Sequence, residues 1–280
     1  MYEILDKEAL HENLKKIVVK APEVAKHAKP GQFVMIMVDE KGERIPITIA
    51  DYDREEGTIT MFFLEIGTST KKLGALKVGD KIYSLCGPLG NPSKIKNYGT
   101  VACVGGGVGI ASLYPIVKAL KREGNRIISI LGARTSSLLI MEKEISNYSD
   151  QLLISTDDGS KGKKGFVTDV LRELIEGGER IDHVIAVGPI PMMRAVSELT
   201  KKYKIKTTVS LNPIMVCGMG MCGSCRVRVG GEIKFACVDG PEFDGHKVDF
   251  DHLMKRNQRF VEEEGTSLVR YLDTQWKGEV

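Results

Sequence analysis

The sequence has few aromatic residues and almost no excess of charge. Aromatic side chains make up 6% of its 280 residues, and 40 Lys and Arg against 37 Asp and Glu leave a formal net charge of +3. A nucleic-acid-binding surface needs a clustered excess of positive charge, and the one dense basic run, 201–206, is short. We therefore expect no nucleic-acid partner. The hydrophobic content of 42% is typical of a globular chain with a core.

The sequence also lacks an uninterrupted apolar stretch long enough to cross a membrane, which requires about 20 mostly apolar residues. Glycine and proline interrupt both long uncharged stretches, 97–117 and 207–225. The first six residues include acidic side chains where an export signal carries positive charge. We expect no membrane partner and a cytoplasmic location, where the six cysteines would be thiols or metal ligands rather than disulfides.

Changes in pattern divide the chain into four parts. Residues 1–98 contain short β-branched runs separated by glycine and charge, which predict an antiparallel β-barrel. In residues 99–211 apolar runs alternate with helical stretches, which predicts a parallel sheet covered by helices. The predicted helices are near 111–123, 136–147, 167–177 and 191–203. Residues 212–245, rich in Cys, Gly and Met, would form a small subdomain. The tail, 246–280, has weakly helical apolar spacing and predicts a helix packed on its own domain or a partner contact.

Four cysteines form the most specific motif of the sequence. Cys217, Cys222, Cys225 and Cys237 have the spacing C-x4-C-x2-C-x11-C, and the first three reproduce the plant-type spacing of a [2Fe-2S] cluster. Glycines between them would let the loop wrap a cluster and turn its N–H groups to the sulfurs. Zinc also binds four cysteines and is the alternative, although its sites usually have two C-x2-C pairs. The remaining cysteines, Cys86 and Cys103, are expected to be small core residues.

A glycine-rich loop, Gly105-Gly106-Gly107-Val108-Gly109, lies between a predicted strand and a predicted helix. Backbone N–H groups at the start of a helix can face a pyrophosphate. Residue 110 is Ile where the G-x-G-x-x-G fingerprint has its third glycine, so the loop departs from the standard dinucleotide motif. Combined with the alternating strands and helices, the loop predicts dinucleotide binding, and a purely structural turn is the alternative.

Further candidate residues follow the other predicted strands, at the sheet edge where ligands bind in open α/β folds. They are Gly132, Ala133, Arg134, Asp157, Asp158, Gly188, Pro189 and Met192. Arg134 could accept the 2′-phosphate of NADP, so the sequence alone leaves the choice between NAD and NADP open. The two aspartates also fit an ordinary solvated turn.

The order of these motifs resembles the ferredoxin-NADP reductase superfamily over almost the whole chain. A β-rich first domain precedes Gly-Gly-Gly-Val-Gly, Gly-Ala-Arg-Thr, Thr-Asp-Asp-Gly-Ser and Val-Gly-Pro, and ferredoxin-like cysteines follow. Within the superfamily the chain is similar to flavin subunits with a C-terminal [2Fe-2S] cluster, such as the electron-transfer subunit of dihydroorotate dehydrogenase. It resembles the small subunits of NADH-dependent reduced ferredoxin:NADP oxidoreductases more closely, through the stretches 210–216, 235–243 and 248–251.

The resemblance implies that the chain binds FAD. Arg44-Ile-Pro-Ile-Thr48 looks like the first flavin motif, with the arginine one residue further from the proline than the motif has it. Gly67-Thr-Ser-Thr70 resembles the second motif, which holds the FAD pyrophosphate, and an ordinary capped turn is its alternative. The expected flavin-binding residues are Arg44, Pro46, Ile47, Thr48, Phe62, Leu64, Gly67, Thr68, Ser69 and Thr70.

The resemblance also implies the function: an NAD(H)-dependent oxidoreductase subunit that passes electrons between NAD(H), FAD, the [2Fe-2S] cluster and a larger subunit. Because the flavin and nicotinamide rings carry the hydride chemistry, no catalytic side chain is expected. The implied partner binds FAD, [4Fe-4S] clusters, NADP(H) and ferredoxin, and forms with this chain a heterodimer that bifurcates electrons. One alternative is the electron-transfer subunit of dihydroorotate dehydrogenase. The other, from a different class, is a zinc-stabilised binding module without catalytic activity.

Overall fold

Residues 1–276 are described by the structure, a computed structural model. The strands are β1 (Tyr2–His11), β2 (Leu14–Lys20), β3 (Phe33–Met37), β4 (Arg44–Thr48), β5 (Asp51–Asp53), β6 (Thr58–Leu64), β7 (Lys81–Ile82), β8 (Ser84–Leu89), β9 (Thr100–Gly106), β10 (Arg126–Ala133), β11 (Gln151–Thr156), β12 (Lys163–Lys164), β13 (His183–Val187), β14 (Lys206–Ser210), β15 (Arg226–Val229), β16 (Glu232–Phe235) and β17 (Glu242–Asp244). The helices are α1 (Pro22–His27), α2 (Thr68–Ala75), α3 (Gly109–Arg122), α4 (Glu142–Ser146), α5 (Val167–Glu176), α6 (Ile190–Lys202), α7 (Phe250–Asn257) and α8 (Val261–Trp276). Over this range, no helix has the length and apolar character that a membrane crossing requires.

The first region folds into two antiparallel sheets around one core, as the sequence predicts. The larger sheet has the order β5-β6-β2-β1-β7 and the smaller has the order β4-β3-β8. Every second residue of β6 is buried, from Ile59 to Phe63, because alternate side chains of a strand point to opposite faces. Buried residues of β2 and β3, among them Ile17 and Ile36, complete this core.

The sequence does not predict β1, because this strand has almost no hydrophobic pattern. Only Ile4 of its ten residues is buried, and four of the ten side chains are charged. β1 pairs antiparallel with both β2 and β7. Tertiary pairing rather than local propensity therefore holds this strand in the barrel.

The second region contains a seven-stranded sheet in the order β12-β11-β10-β9-β13-β14-β17. Its first six strands are parallel, and β17 adds antiparallel to β14. The chain proceeds outward from β9 through β10 to β11 and then returns to the other side of β9 at β13. This reversal creates a topological switch point at the carboxyl ends of β9 and β13, where open α/β sheets bind ligands. Val187 and Gly105 lie side by side there.

Two local features differ from the sequence-based expectation. The predicted helix over 136–147 is wrong, because the segment contains a 3-10 turn at Ser136–Leu138 and the short helix α4. Met141, just before α4, has the left-handed φ of +53°, which interrupts a continuous helix. In addition, β17 lies within the predicted cluster subdomain, 212–245, although it extends the sheet of the second region. The domain limits themselves stay predictions.

The tail forms two helices that contact different parts of the molecule. Phe250 and Leu253 of α7 are buried in the core of the second region, and the carboxylate of Asp249 accepts a hydrogen bond from the first turn of this helix. α8 packs on the barrel, where Ser267 Oγ lies 3.0 Å from Thr68 Oγ1 of α2. The prediction of a helix packed on its own domain therefore matches α7, whereas α8 packs on the barrel. Residues 277–280 of the predicted tail lie outside the described residues.

The packing of α7 can be tested with a matched pair of leucine truncations. Leu253 has no exposed surface, whereas Leu272 of α8 is 46% exposed. Leu253→Ala should lower the free energy of unfolding by about 2–5 kcal/mol because it leaves a cavity. Leu272→Ala should change it by less than about 0.5 kcal/mol. Urea unfolding followed by circular dichroism would measure both, and equal losses would contradict the burial of α7.

Candidate cofactor sites

A cavity of about 510 Å³ lies between the barrel and the parallel sheet. Strands β4 and β6 form its barrel side, and the glycine-rich loop after β9 forms the opposite side. The predicted flavin-binding residues that line it are Pro46, Ile47, Thr48, Phe62, Leu64 and Thr70. Because most of the lining side chains are apolar or aromatic, the cavity suits a planar ring system.

The other predicted flavin residues do not line this cavity. Arg44 is exposed at the outer end of β4, so the structure does not bring its guanidinium to the site. Thr68 and Ser69 line a separate hollow of about 140 Å³ beside α8. Thr70 Oγ1 accepts a hydrogen bond from the Gly67 N–H at 3.1 Å, which caps the start of α2. A role of 67–70 in holding the FAD pyrophosphate stays a prediction.

A second cavity, of about 560 Å³, lies at the carboxyl edge of the parallel strands. The predicted dinucleotide-binding residues that line it are Gly106, Gly107, Val108, Gly132, Ala133, Arg134, Asp157, Pro189 and Met192. Gly109 and Gly188 line the first cavity instead, and Gly105 lines neither. Asp158 lies outside both, where hydrogen bonds from the hydroxyl and N–H of Ser160 lower the pKa of its carboxyl. Asp158 thus matches the solvated-turn alternative.

The two cavities share a wall made largely of backbone. The residues that line both are Leu64, Gly106, Gly107, Val108 and Pro189. Gly107 has a φ of +54°, and a Cβ built on it would meet no atom within 4 Å, so its backbone faces open space. Gly109 requires its lack of side chain for a different reason, since a Cβ there would lie 2.5 Å from the Val187 carbonyl oxygen. Glycine at these positions leaves room for a ring in each cavity to reach the place where the two cavities adjoin.

The four predicted cluster cysteines lie in two pairs. Cys225 Sγ is 3.2 Å from Cys237 Sγ. The Cys222 N–H donates to Cys217 Sγ at 3.4 Å. In the part of the chain that the structure describes, no three or more His, Cys, Asp or Glu side chains are grouped to hold one metal ion. Two thiol pairs match two irons with two thiolates each, whereas tetrahedral zinc requires four donors around one point.

Backbone N–H groups of the loop point at the sulfurs. Gly220 donates to Cys237 Sγ at 3.2 Å, and Ser224 donates to Cys222 Sγ at 3.4 Å. Burial raises the pKa of Cys217, but N–H groups, those of Cys222 and Met219 foremost, outweigh it and lower this pKa to about 6. For Cys237, burial and the adjacent Cys225 thiol raise the pKa to about 12. Thiolates that accept several N–H bonds are the donor set of an iron-sulfur cluster.

The cluster loop packs directly against the first cavity. Met215, two residues before the first cluster cysteine, is buried and lines that cavity. Gly218 has a φ of +74°, and a Cβ there would lie 2.5 Å from Met35 Cγ of β3. Glycine therefore permits the loop to touch the barrel, and a flavin ring and a cluster in these sites would be neighbours.

The two cysteines outside the cluster loop differ from each other. Cys103 lies buried in β9, where desolvation raises the pKa of its thiol to about 12, as expected of a core residue. The expectation for Cys86 is wrong, because this residue is exposed on β8. Its neighbour Leu85 is the buried residue, since successive side chains of a strand point to opposite faces.

Sequence reasoning missed several residues that line the cavities. In the first cavity they include Phe33, Ser112, Asn212 and Pro241, which come from four distant segments and meet only in the folded chain. Phe166 lines the second cavity, although its side chain is 62% exposed. Its exposure is a property of the folded chain, so no local feature of the sequence identifies Phe166.

Comparisons with known proteins agree with this geometry. The iron-sulfur cluster binding domain of dihydroorotate dehydrogenase B matches residues 212–249, and the oxidoreductase NAD-binding domain matches residues 103–198. A homolog of the dihydroorotate dehydrogenase B (NAD(+)) electron transfer subunit from Thermotoga maritima is 51% identical over 277 residues, covering 99% of this chain and 98% of that protein. The corresponding subunit of Bacillus cereus is 34% identical over 252 residues, covering 86% and 94%.

Solved structures give the same result. The NADH-dependent reduced ferredoxin-NADP oxidoreductase, studied for flavin-based electron bifurcation, contains a chain that matches with a TM-score of 0.92 and 51% identity, covering 97% of this chain and 98% of that chain. The ferredoxin reductase of carbazole 1,9a-dioxygenase has a TM-score of 0.61 and 20% identity, covering 73% and 65%. The second likeness shows the fold alone, an antiparallel barrel followed by a parallel sheet covered by helices.

The shared wall can be tested by placing a methyl group on it. Gly107→Ala should weaken NADH binding about tenfold, because its Cβ would project into the open space that the cavities share. Gly178→Ala is the matched control, since Gly178 also has a positive φ, +86°, and open space around it, but lies after α5 and lines neither cavity. Both variants should lose about 1 kcal/mol of folding free energy from backbone strain.

NADH titration of the purified variants, followed by fluorescence, measures the dissociation constants. Unchanged affinity in Gly107→Ala, or equal weakening in the control, would contradict a dinucleotide at this wall.

Proposed function

The chain belongs to the family of dihydroorotate dehydrogenase B electron-transfer subunits and their homologues, within the ferredoxin-NADP reductase superfamily, and on this premise we propose that it relays electrons between NAD(H) and a larger partner subunit. Its cofactors are FAD and a [2Fe-2S] cluster, and NAD(H) is its small-molecule substrate. The observation that carries the proposal is the position of the first cavity, which adjoins the second cavity and is lined by Met215, two residues before the first cluster cysteine.

The residues of this chain would bind, orient and shield the cofactors. FAD supplies hydride exchange with nicotinamide and one-electron transfer to the cluster when it is bound. Pro46, Ile47 and Thr48 would flank the flavin ring, and the backbone of 105–109 would hold the two rings in stacking distance. Leu64 and Pro189, which line both cavities, would keep water from the point where the rings meet.

The four cysteines would hold the cluster next to the flavin cavity, where Met215 precedes the first of them. Cys225 and Cys237 are buried, whereas Cys222 is exposed, so one end of the thiol set faces solvent. Apolar side chains surround that end: Val216, Met219 and Met221 are 49%, 48% and 82% exposed. This apolar rim supports docking of a larger subunit over the cluster.

We propose that the partner carries FAD and [4Fe-4S] clusters, binds NADP(H) and ferredoxin, and forms with this chain a cytoplasmic heterodimer that bifurcates electrons. Support comes from the 51% identity and nearly complete coverage of the chain from an NADH-dependent reduced ferredoxin-NADP oxidoreductase. The alternative partner is a dihydroorotate dehydrogenase, which the names of the Thermotoga and Bacillus relatives favour. A separate proposal concerns the nucleotide: we propose that the chain uses NAD(H) rather than NADP(H), although exposed Arg134 lines the second cavity. Faster reduction of the chain by limiting NADPH than by limiting NADH would contradict this preference.

Purification of the native complex decides between the two partners. Because this chain resembles the oxidoreductase subunit over its full length, we expect a larger iron-sulfur flavoprotein to co-purify in about equal amount. Mass spectrometry and iron analysis of the partner identify it. A flavoprotein that oxidises dihydroorotate and contains no iron-sulfur cluster would replace the bifurcation proposal with the alternative.

The cofactors can be tested on the purified chain with two cysteine variants. The wild-type chain should contain about two irons and one FAD. Cys225→Ser should lose most of the iron and retain the FAD, because the thiol lies in the cluster loop and outside the flavin cavity. Cys103→Ser, which changes an equally buried cysteine of β9, should retain both. Visible spectra with iron, zinc and flavin quantified per chain measure this, and a colourless chain with one zinc would contradict the proposal.

A further inference from the structure

Three arginine side chains converge on the loop segment between Cys222 and Cys225. Arg256 and Arg259 each donate from Nη2 to the carbonyl oxygen of Ser224 at 3.1 Å. Arg226 donates from Nε to the carbonyl oxygen of Gly223 at 2.8 Å. These two residues are the only ones between the second and third cluster cysteines, so both of their carbonyl groups are held by guanidinium groups.

The three arginines come from different parts of the chain. Arg226 begins β15, directly after the last cysteine of the loop. Arg256 lies in the last turn of α7, and Arg259 lies in the link between α7 and α8. Two of the three arginines therefore belong to the tail, 246–280, so the tail contributes to the cluster site.

Within residues 1–274, their positive charges are not paired with a carboxylate. Among the side chains that the structure describes, residues 1–274, no carboxylate lies within 4 Å of the guanidinium nitrogens of Arg226, Arg256 or Arg259. Other arginines nearby are paired: Arg194 with Glu198 and Asp251, and Arg228 with Asp249.

Three guanidinium groups held close together repel one another, and a negative group nearby offsets this repulsion. Burial, Arg259 and Arg226 together lower the pKa of Arg256, while Cys225 has the opposite effect. Arg256 Nε is also buried and has no hydrogen-bond partner within the described residues. Like charges gathered without a counterion cost free energy, so the arrangement requires a negative group at the loop.

We propose that Arg226, Arg256 and Arg259 are positioning residues of the [2Fe-2S] site that turn the loop N–H groups toward the sulfurs and raise the reduction potential of the cluster. The inference rests on the proposed function, since it requires the cluster to be bound. The Gly223 carbonyl, which accepts from Arg226 Nε, belongs to the same peptide group as the Ser224 N–H that donates to Cys222 Sγ. Arg256 and Arg259 hold the next peptide group through the Ser224 carbonyl.

The effect on potential follows from charge. Four thiolates and two sulfides give the cluster a net negative charge, and the addition of one electron makes it more negative by one unit. Nearby cations stabilise the reduced form more than the oxidised form, so they raise the potential. A higher potential favours transfer of single electrons from the flavin to the cluster.

The test is a reductive titration of the cluster in the full-length protein, followed by electron paramagnetic resonance. The double variant Arg256→Gln, Arg259→Gln should shift the ratio of reduced to oxidised cluster about tenfold toward the oxidised form, a potential about 59 mV more negative. Arg256→Lys, Arg259→Lys keeps the charge and should retain most of the wild-type potential. Lys255→Gln is the control, since it removes one exposed charge from the same helix.

The outcomes separate this inference from the proposed function. A double variant with the wild-type potential, or a shift in Lys255→Gln as large as in the double variant, would overturn the inference alone. A wild-type chain without iron would overturn the proposed function together with it. If the double variant assembles no cluster, Arg259→Gln is titrated instead, because Arg259 is exposed, and a smaller shift in the same direction is required.

Discussion

Hydrogen bonds from backbone N–H groups to the cysteine sulfurs determine where the loop 217–225 lies, and the path for electrons depends on that placement. They orient the sulfurs of Cys217, Cys222 and Cys237, and Cys225 Sγ lies 3.2 Å from Cys237 Sγ, so the thiols lie in two pairs rather than in one tetrahedron. Positive-φ glycines make this wrapping possible and bring the loop against β3 of the barrel. The same fold therefore builds the thiol set and places it at the edge of the flavin cavity.

The glycine-rich loop after β9 serves the opposite side of that cavity. Its backbone lines both cavities, of about 510 and 560 Å³, where they adjoin, and the topological switch between β9 and β13 supplies the crevice. Residue 110 departs from the common fingerprint, but Ile110 is fully buried in the first turn of α3, while Gly109 makes the close contact with the end of β13. Gly109, rather than a glycine at position 110, thus permits the close contact between the start of α3 and the end of β13.

Short-range features of the sequence predict much of the fold and of the cluster site. The cysteine spacing identified the thiol set, and the alternation of strands and helices identified the parallel sheet. Residues that depend on distant contacts were not predictable: β1 is held by strand pairing, and Phe33 and Pro241 reach the flavin cavity from segments far apart in sequence. Arg44 fits a motif by its neighbours, yet its position at the exposed end of β4 removes it from the cavity. The role of Arg256 and Arg259 also appears only when α7 is packed, because the helix carries them to the cysteine loop.

The most direct test of the central claim is the route of electrons from NADH to the cluster. The chain would be prepared with an intact cluster, with and without FAD, and mixed with NADH under anaerobic conditions while electron paramagnetic resonance follows cluster reduction. Because the flavin cavity lies between the second cavity and the cysteine loop, reduction should occur only when FAD is present. Equally fast reduction of the cluster in the FAD-free chain would contradict the placement of the flavin between them.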